Sequence, residues 1–389
     1  MMIASVPSPT SHPSADRLKA EALAWLRGEA LPLWLEHGVD WRAGAFHEHL
    51  HLDTLACRAE FRRLRVAARQ TYVFARASLM GVPRAEEATA LGVEFLLTRA
   101  RQPDGGYARS FGLDNEPLDQ TRDLYDHSFV LLAFSHAARV LRSAELREAA
   151  RALLDYIEAH FRDGFAGYRE AIPDQLPRRQ NPHMHLLEAV VAAHAVFGEG
   201  VYRECADRLV ALLLDRLYQR EEGVLCEFFD ERFGPLRDER GRFTVEPGHH
   251  FEWVWLLGEY RKMGGGFLPT SHAADVEAVC DRLFTMAEAH GVDAATGLAY
   301  DELHSDGSLK TRSSRLWPQT ERLKALACRP AGEGALVPAL EALRRYRDGV
   351  PPGLWHERLL PDGGVTGEPA PASSLYHLTC AIEEACKSS

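Results

Sequence analysis

The sequence contains no run of about 18 apolar residues, the length that a membrane-spanning helix requires, so we expect no transmembrane segment. Its first residues lack both the basic stretch and the long apolar stretch of a secretory signal peptide. The seven cysteines are odd in number, widely spread and form no CxxC pair, which favours free thiols in a reducing compartment. We therefore predict a cytoplasmic protein whose residues 1–13 are a disordered lead-in.

Basic residues are outnumbered by acidic ones, 45 to 56, which gives a net charge of −11. This balance argues against nucleic acid or an anionic membrane as a partner. HExxH, a Cys/His cluster, a P-loop, GxSxG and GxGxxG after a strand are all missing. The adjacent His249 and His250 would point about 100° apart on a helix, so they would not readily share an ion. We predict neither a metal ion nor another cofactor.

Helical periodicity is abundant: apolar residues recur at helical spacing in about a dozen segments, and convincing alternating strands are scarce. Short turns and long polar connections alternate between these segments. Each long connection carries a glycine followed closely by an apolar or aromatic residue, and this signature recurs every 56 to 74 residues. Its glycines are Gly44, Gly106, Gly167, Gly223, Gly297 and Gly353. Such a period indicates a repeat architecture of helical hairpins.

We predict an all-α fold, an (α/α)6 barrel of six helical hairpins that forms a single domain over residues 14–389. Some long loops resemble short β-hairpins, as in residues 297–308. The alternative is an open helical solenoid, which would need polar capping repeats at both ends. Residues 373–386 are instead as apolar as the central segments, which favours a helix that closes the ring.

Polar residues cluster where the six inner helices are expected to begin. These starts lie near Cys57, Thr121, Asn181, Pro247, Trp317 and Ser373. A single histidine in a helix is usually structural, but five of these six helices carry Asn, His, Glu or Asp within two turns of the same rim. Burying such groups without partners would cost about 1–3 kcal/mol each. The pattern therefore predicts a shared polar cavity at this rim.

The residue types at the rim suit acid–base chemistry on a sugar. We expect the positive end of the helix dipole to keep His249 and His377 neutral near pH 7, with Glu252 orienting His249. Arg69 would stabilise a developing oxyanion. Trp255 and Trp317 offer flat apolar faces on which a sugar ring could stack.

Five segments together resemble the N-acylglucosamine 2-epimerase superfamily, which includes renin-binding-protein epimerases, cellobiose 2-epimerases and bacterial mannose isomerases. They occur in the family's order along nearly the whole chain. The segments are AARQTYVFA (67–75), NPHMHLLEA (181–189), PGHHFEW (247–253), WPQTE (317–321) and SSLYH (373–377).

This resemblance implies an (α/α)6 barrel, no metal or redox cofactor, and removal of a proton from C2 of an aldose through a cis-enediol(ate). His249 and His377 would be the acid–base pair, placed within about 12 Å of each other so that a monosaccharide fits between them. His185 would open the sugar ring or hold its oxygens. The resemblance assigns the pocket lining to Arg69, Tyr125, Asn181, Glu252, Trp317 and Glu321.

The reaction predicted first is aldose–ketose isomerisation of mannose or a close relative, because SSLYHL is more similar to the mannose isomerases than to the cellobiose epimerases. A sugar 2-epimerase is the nearest alternative. A glycoside hydrolase would need two flanking carboxylates, for which Glu252 and Glu321 are candidates. A non-catalytic binding barrel would leave two histidines without a role. The expected partner is a small-molecule sugar, and the sequence leaves open whether the chain forms a homodimer.

Overall fold

The computed structural model describes residues 14–264, 270–329 and 333–387. The predicted lead-in, residues 1–13, lies outside them. Six inner helices pack side by side in chain order, and the last contacts the first. These inner helices are α3 (Leu64–Leu79), α5 (Leu124–Leu141), α7 (Gln180–Phe197), α9 (Pro247–Lys262), α11 (Leu316–Ala327) and α13 (Ala372–Lys387).

The remaining helices form the outer layer, each packed against an inner partner. α1 runs through a π-helical turn into α2, so that the two make one outer helix. The outer helices are α1 (Ala15–Trp25), α2 (Leu31–His37), α4 (Ala85–Phe95), α6 (Ala144–His160), α8 (Gly200–Leu212), α10 (Thr270–Gly291) and α12 (Glu333–Arg344). The predicted (α/α)6 barrel is confirmed. No helix within the described ranges is both long and apolar enough to span a membrane.

The two layers differ in how much of each helix is buried. Outer α6 buries one stripe at spacings of three and four residues, from Leu146 through Ala150 and Leu153 to Ile157. Inner α5 is buried continuously from Asp126 to Ser135. A helix that is apolar on most sides has to be enclosed by protein, which is the position that the ring gives to the inner helices.

Short strands line the rim at the N-terminal ends of the inner helices. They are β1 (Val39–Asp40), β2 (Ala45–Phe46), β3 (His49–Leu50), β4 (Arg62–Arg63), β5 (Ser110–Phe111), β6 (Pro117–Asp119), β7 (Arg122–Asp123), β8 (Ala171–Ile172), β9 (Arg178–Arg179), β10 (Tyr218–Gln219), β11 (Val224–Leu225), β12 (Phe228–Phe229), β13 (Thr244–Val245), β14 (Glu302–His304), β15 (Leu309–Thr311), β16 (Ser314–Arg315), β17 (Arg358–Leu359) and β18 (Ala370–Pro371).

The short strands also pair around the whole ring, so that strand pairing joins the last repeat to the first, as helix packing does. The strand before each inner helix pairs antiparallel with a strand in the long loop of the next repeat: β4 with β5, β7 with β8, β9 with β12, β13 with β14, and β16 with β17. β18, before the last inner helix, pairs with β3 in the first loop. An open solenoid has no such pairing between its ends, so that alternative is wrong. The expected hairpin is β14–β15, centred slightly later than predicted.

In the second to fifth repeats, the recurrent glycine signature anchors the long loop to its own inner helix. The backbone N–H of Leu225 donates to Nε2 of His250 at 3.0 Å, and that of Ala299 donates to Oε1 of Gln319 at 2.8 Å. His127 and His183 accept the corresponding N–H groups of the second and third repeats. All four acceptors are the fourth residue of their helix, so these buried histidines hold the fold together.

Inner-helix starts are predicted to within three residues, with one exception. The first inner helix begins at Leu64 and not near Cys57, because residues 51–63 form an extended loop and β4. Asn181 is the second residue of α7 and not its N-cap. Its side chain is therefore available to the cavity that these helix ends surround.

Candidate active site

A polar cavity of about 590 Å³, counting its open mouth, lies at the N-terminal ends of the inner helices. Every inner helix contributes at least one side chain to it. The lining residues are Arg69, Tyr125, Asn181, His185, Glu246, His249, Glu252, Arg315, Trp317, Glu357, Ser373, Ser374 and His377. The volume is in the range of small-molecule sites. The structure thus brings together eight of the ten predicted site residues; Glu321 and Trp255 lie elsewhere.

His249 is held by a carboxylate that the sequence analysis missed. Its Nδ1 lies 2.9 Å from Oε2 of Glu227 in the long loop, so the expectation that Glu252 orients this imidazole is wrong. The other nitrogen, Nε2, lies 3.1 Å from the Asn181 amide in the cavity. Oδ1 of Asn181 is buried without a partner, so a half-turn of the amide presents an acceptor to a protonated Nε2.

The protonation state of His249 also differs from the prediction. Burial alone would lower the pKa of this imidazole, but the negative charges of Glu227 and Glu246 outweigh burial and raise it to about 9. The expectation that the helix dipole keeps His249 neutral is therefore wrong. Two carboxylates in contact range outweigh the partial charge of a helix end. His249 is an imidazolium at neutral pH.

His377 has the opposite electrostatic environment. Its Nδ1 lies 2.8 Å from Oε1 of Glu321, and the other oxygen of that carboxylate, Oε2, lies 2.5 Å from the ammonium of Lys324. Burial lowers the pKa of His377 well below its usual value, and the positive charges of Arg69 and Lys324 lower it further. His377 is thus neutral at pH 7, as expected. One cavity therefore holds a charged and a neutral imidazole.

Trp317 lies close to both of these imidazoles. Its ring centroid is 4.8 Å from that of His249 and 6.0 Å from that of His377. The two imidazoles are consequently closer together than the sum of these distances, which is within the bound of about 12 Å expected for a shared monosaccharide. Trp317 therefore supplies an aromatic surface of the cavity beside both imidazoles.

Arg69, Tyr125 and His185 form a second group of lining residues that contact one another. Arg69 donates from Nη2 to the Tyr125 hydroxyl at 2.6 Å and lies 4.1 Å over the ring of Phe129. Nδ1 of His185 lies 3.0 Å from Oε2 of Glu188, and burial lowers the pKa of His185 to about 4. His185 is a neutral hydrogen-bonding group, whereas Arg69 carries a permanent charge.

Glu252 lines the cavity with an unusual protonation state. Burial and the neighbouring Glu321 raise its pKa to about 8, although Lys324 opposes the shift. Its Oε1 is 4.0 Å from Nδ1 of His185. A carboxyl group that is protonated at pH 7 can donate a hydrogen bond to a sugar oxygen, which a carboxylate cannot do.

Two predicted lining residues lie deeper in the barrel. Glu321 is fully buried behind His377 and touches that imidazole, not the cavity. Trp255 lies under Lys324, whose Nζ is 3.9 Å from the indole centroid, and borders a different cavity at the C-terminal ends of the inner helices. The expectation that Glu321 and Trp255 line the sugar pocket is therefore wrong. Trp255 lies six residues after His249, about 9 Å further along the helix axis.

Several lining residues escaped the sequence analysis, although a signal for one group was present. A carboxylate occurs two residues after the anchored residue of the glycine signature in five of the six repeats: Glu48, Glu170, Glu227, Asp301 and Glu357. In the first, third and fifth repeats this carboxylate accepts hydrogen bonds from the arginine before the inner helix.

The fourth and sixth repeats lack that arginine, having Glu246 and Pro371 in its place. Glu227 is thereby left to bond His249, and Glu357 accepts a hydrogen bond from Ser374 at 2.8 Å. Burial raises the pKa of Glu357 to about 7. Of the two carboxylates without an arginine partner, Glu357 lines the cavity and Glu227 lies behind His249, which does line it.

Metal-ligating side chains do approach one another around the cavity. Three groups bring their ligand atoms within 4.8 Å: His185 with Glu188 and Glu252, Glu227 with Glu246 and His249, and Glu252 with Glu321 and His377. Lys324 supplies a positive charge to the third group. The imidazolium of His249 does the same for the second. The protein's own cations therefore balance these carboxylates.

The chain is similar to known sugar isomerases over most of its length. The chain is 38% identical to a mannose-6-phosphate isomerase of Rhizobium meliloti (strain 1021) over 379 residues, which is 94% of this chain and 95% of that protein. It is 30% identical to a D-mannose isomerase of Thermobifida fusca over 337 residues, 79% of this chain and 78% of that protein.

A cellobiose 2-epimerase structure from Spirochaeta thermophila DSM 6192 superimposes with a TM-score of 0.82 at 23% identity, covering 98% of both chains. Residues 44–381 match the family model described as N-acylglucosamine 2-epimerase (GlcNAc 2-epimerase). With its closed ring of helical hairpins and a matching sequence over nearly the whole chain, the protein belongs to the N-acylglucosamine 2-epimerase family.

Proposed function

We propose that this enzyme isomerises mannose, or mannose carrying a 6-phosphate, to the corresponding ketose through a cis-enediol. The protein is an isomerase or epimerase of its family, and the names of its Rhizobium and Thermobifida relatives support a mannose-type substrate. The observation that carries the proposal is one cavity with two imidazoles in opposite protonation states. Such a pair can accept one proton and donate another in the same step.

In the first half-reaction, Nε2 of His377 removes the proton from C2 of the open-chain aldose. The electrons of the C2–H bond form the C1=C2 double bond, and O1 takes the Nε2 proton of the His249 imidazolium. The product is a neutral cis-enediol between a charged His377 and a neutral His249. Arg69 stabilises the negative charge that develops on oxygen during this transfer.

In the second half-reaction the two imidazoles exchange roles. His249 takes the proton of the O2 hydroxyl, the C2=O2 carbonyl forms, and His377 returns its proton to C1. The ketose is released and both histidines regain their starting states. Return of a proton to the other face of C2 would give the epimer, so the face on which the donor lies decides between isomerisation and epimerisation.

The surrounding groups orient the substrate. Neutral His185 and the protonated carboxyl of Glu252 can hydrogen-bond sugar oxygens without adding charge, while Asn181 stays in contact with His249. Tyr125 and Trp317 enclose the ring from two sides. Free thiols favour a reducing compartment, so the cytoplasm remains our prediction for where the reaction takes place; the free thiols are Cys57, Cys205, Cys226, Cys280, Cys328 and Cys380.

Product identification tests the proposal. The enzyme is incubated with mannose, mannose 6-phosphate, glucose, fructose, cellobiose and N-acetylmannosamine, and the products are separated by ion chromatography. We expect fructose or fructose 6-phosphate from the mannose substrates, and the reverse reaction from the ketose. Formation of aldose epimers alone would make the enzyme a 2-epimerase, and no turnover of any of these sugars would contradict the proposal.

A further inference from the structure

Lys324 is a fully buried lysine in the third turn of α11. Its Nζ lies 2.5 Å from Oε2 of Glu321 and 3.8 Å from Oε1 of Glu252. The same nitrogen lies 3.9 Å from the ring centroid of Trp255, and the side chain is 0% exposed. Lys324 thus forms the floor beneath the cavity without lining it.

A buried ammonium is costly unless carboxylates compensate it. Burial alone would lower the pKa of Lys324, but the negative charge of Glu321 raises it above its ordinary value. Lys324 therefore stays charged at neutral pH. The partner of Glu321 on the other side is Nδ1 of His377, so the cation acts on that imidazole through one carboxylate.

Two His–Glu pairs of the same chemistry lie at the cavity, so the effect of Lys324 on one pair can be compared with the other pair, which has no lysine. Glu227, the partner of His249, receives its other hydrogen bonds from neutral donors, the Gln180 amide at 3.0 Å and the backbone N–H of Glu246 at 3.3 Å. Glu321, the partner of His377, is paired with an ammonium. The pKa of His249, whose partner has no lysine beside it, is raised to about 9. The pKa of His377, whose partner is paired with Lys324, is lowered.

We infer that Lys324 is a positioning residue that decides which of the two imidazoles is the base. By holding Glu321 as a carboxylate, it makes Nδ1 of His377 the N–H donor and leaves the Nε2 lone pair free toward the cavity. Its positive charge also opposes a second proton on the same ring. The base role of His377 rests on the function proposed above, whereas its tautomer and charge in the free protein do not.

Other charged and titratable groups face His377 from every inner helix packed near it, and Lys324 acts against this background. They are Arg69 on α3, His185 and Glu188 on α7, His249 and Glu252 on α9, Glu321 on α11 and the neighbouring Tyr376 on α13. Arg69 also opposes protonation of His377, so removal of Lys324 tests one of two cations.

Without Lys324, the Glu321–His377 pair resembles Glu227–His249 and takes up a proton. If the pKa of the His377 imidazole then rises to the value of about 9 seen for His249, only about 1% of the base is free at pH 7. For Lys324→Met we therefore expect kcat for mannose to fall about 100-fold at pH 7 and about twofold at pH 9, with KM little changed. A merely structural loss would lower kcat equally at both pH values.

The experiment combines this pH–rate profile with ¹⁵N NMR of histidine-labelled protein without substrate, His377 being assigned by difference from His377→Gln. We expect a neutral Nδ1–H tautomer at pH 7 in the wild type and an imidazolium in Lys324→Met, or in Lys324→Gln where the Met variant does not fold. Arg322→Met is the matched control, since Arg322 lies on the same helix and pairs with Glu288 away from the cavity. Its spectrum and profile should equal the wild type.

A wild-type His377 that is charged or protonated at Nε2 at pH 7 would overturn the inference, and so would a Lys324 variant whose His377 stays neutral. Neither result depends on turnover. If no sugar is converted while the NMR results are as expected, the proposed function fails and the role of Lys324 in setting the tautomer stands.

Discussion

Glu227→Gln removes one negative charge beside His249 and keeps the size of the side chain. In the wild type, Glu227 and Glu246 raise the pKa of His249 to about 9 against the effect of burial. His250, a fully buried neighbour without a carboxylate partner, has a pKa lowered by burial to about 4. The variant should move His249 from the first situation toward the second.

The sign of the pH dependence follows from these states. Catalysis requires His249 protonated, so wild-type activity is present below about pH 9 and is lost as pH rises through that value. In Glu227→Gln the alkaline limb moves down by at least two pH units, and the acid is mostly absent at pH 7.5. A limb at pH 7 or below leaves at most about a quarter of His249 protonated at pH 7.5, so we expect kcat at pH 7.5 to fall by at least about fourfold and to recover partly at pH 5.5.

The assay is the initial rate of mannose turnover from pH 5 to pH 10, with folding checked by circular dichroism. Glu170→Gln is the matched control, because Glu170 occupies the equivalent position of the third repeat and bonds Arg179 outside the cavity. It should leave the alkaline limb in place. An alkaline limb that stays near pH 9 in Glu227→Gln would refute the assignment of His249 as the acid.

His249→Ala and His377→Ala should each lower kcat by at least about 10²-fold, measured by mannose turnover, whereas His250→Gln should retain most activity because Gln319 anchors the same loop position in the fifth repeat. Trp317→Phe should raise KM about 2- to 10-fold, the equivalent of 0.5–1.5 kcal/mol of lost aromatic contact, and Trp255→Phe should leave KM unchanged. Dialysis against EDTA should leave kcat unchanged, since the charges in the proposed mechanism come from side chains; a chelator-sensitive rate restored by a divalent ion would contradict it.

The barrel could be predicted from the sequence because the pattern that produces each helical hairpin occurs six times along the chain. Each long loop needs a glycine and an anchored residue, and each inner helix needs apolar side chains on most of its surface, so both patterns are visible along the chain. The shared rim followed from the same repeat, since equivalent helix ends must meet. That geometry alone brought Arg69, Asn181, His185 and the two proposed catalytic histidines into one cavity.

The partners of those histidines could not be predicted, because they depend on contacts between distant elements. Glu227 reaches His249 from a loop 22 residues earlier, while Glu252, one turn along the same helix, does not bond that ring. The helix-dipole argument gave the wrong charge for His249 for the same reason. Local sequence also left Lys324 unnoticed, although it lies one turn from Glu321.

Depth along a helix accounts for the two misplaced residues. Glu321 and Trp255 share helix faces with the lining residues Trp317 and Glu252, but they lie about 6 and 4.5 Å further along their helices than those residues. At that depth the barrel is filled by the Lys324 cluster. Spacing on a helical face therefore predicts direction well, but it does not predict where the cavity ends.

Transfer of a proton between C2 and C1 is tested most directly by running the mannose reaction in D2O and locating deuterium in the product by NMR. An imidazole that carries the proton exchanges with solvent, so we predict measurable deuterium at C1 of the fructose formed by the wild type. We also predict that His377→Ala forms no labelled product at a comparable rate. Fructose that forms at the full rate with no deuterium at C1, its C2 hydrogen retained, would mean a hydride shift and contradict the imidazole mechanism.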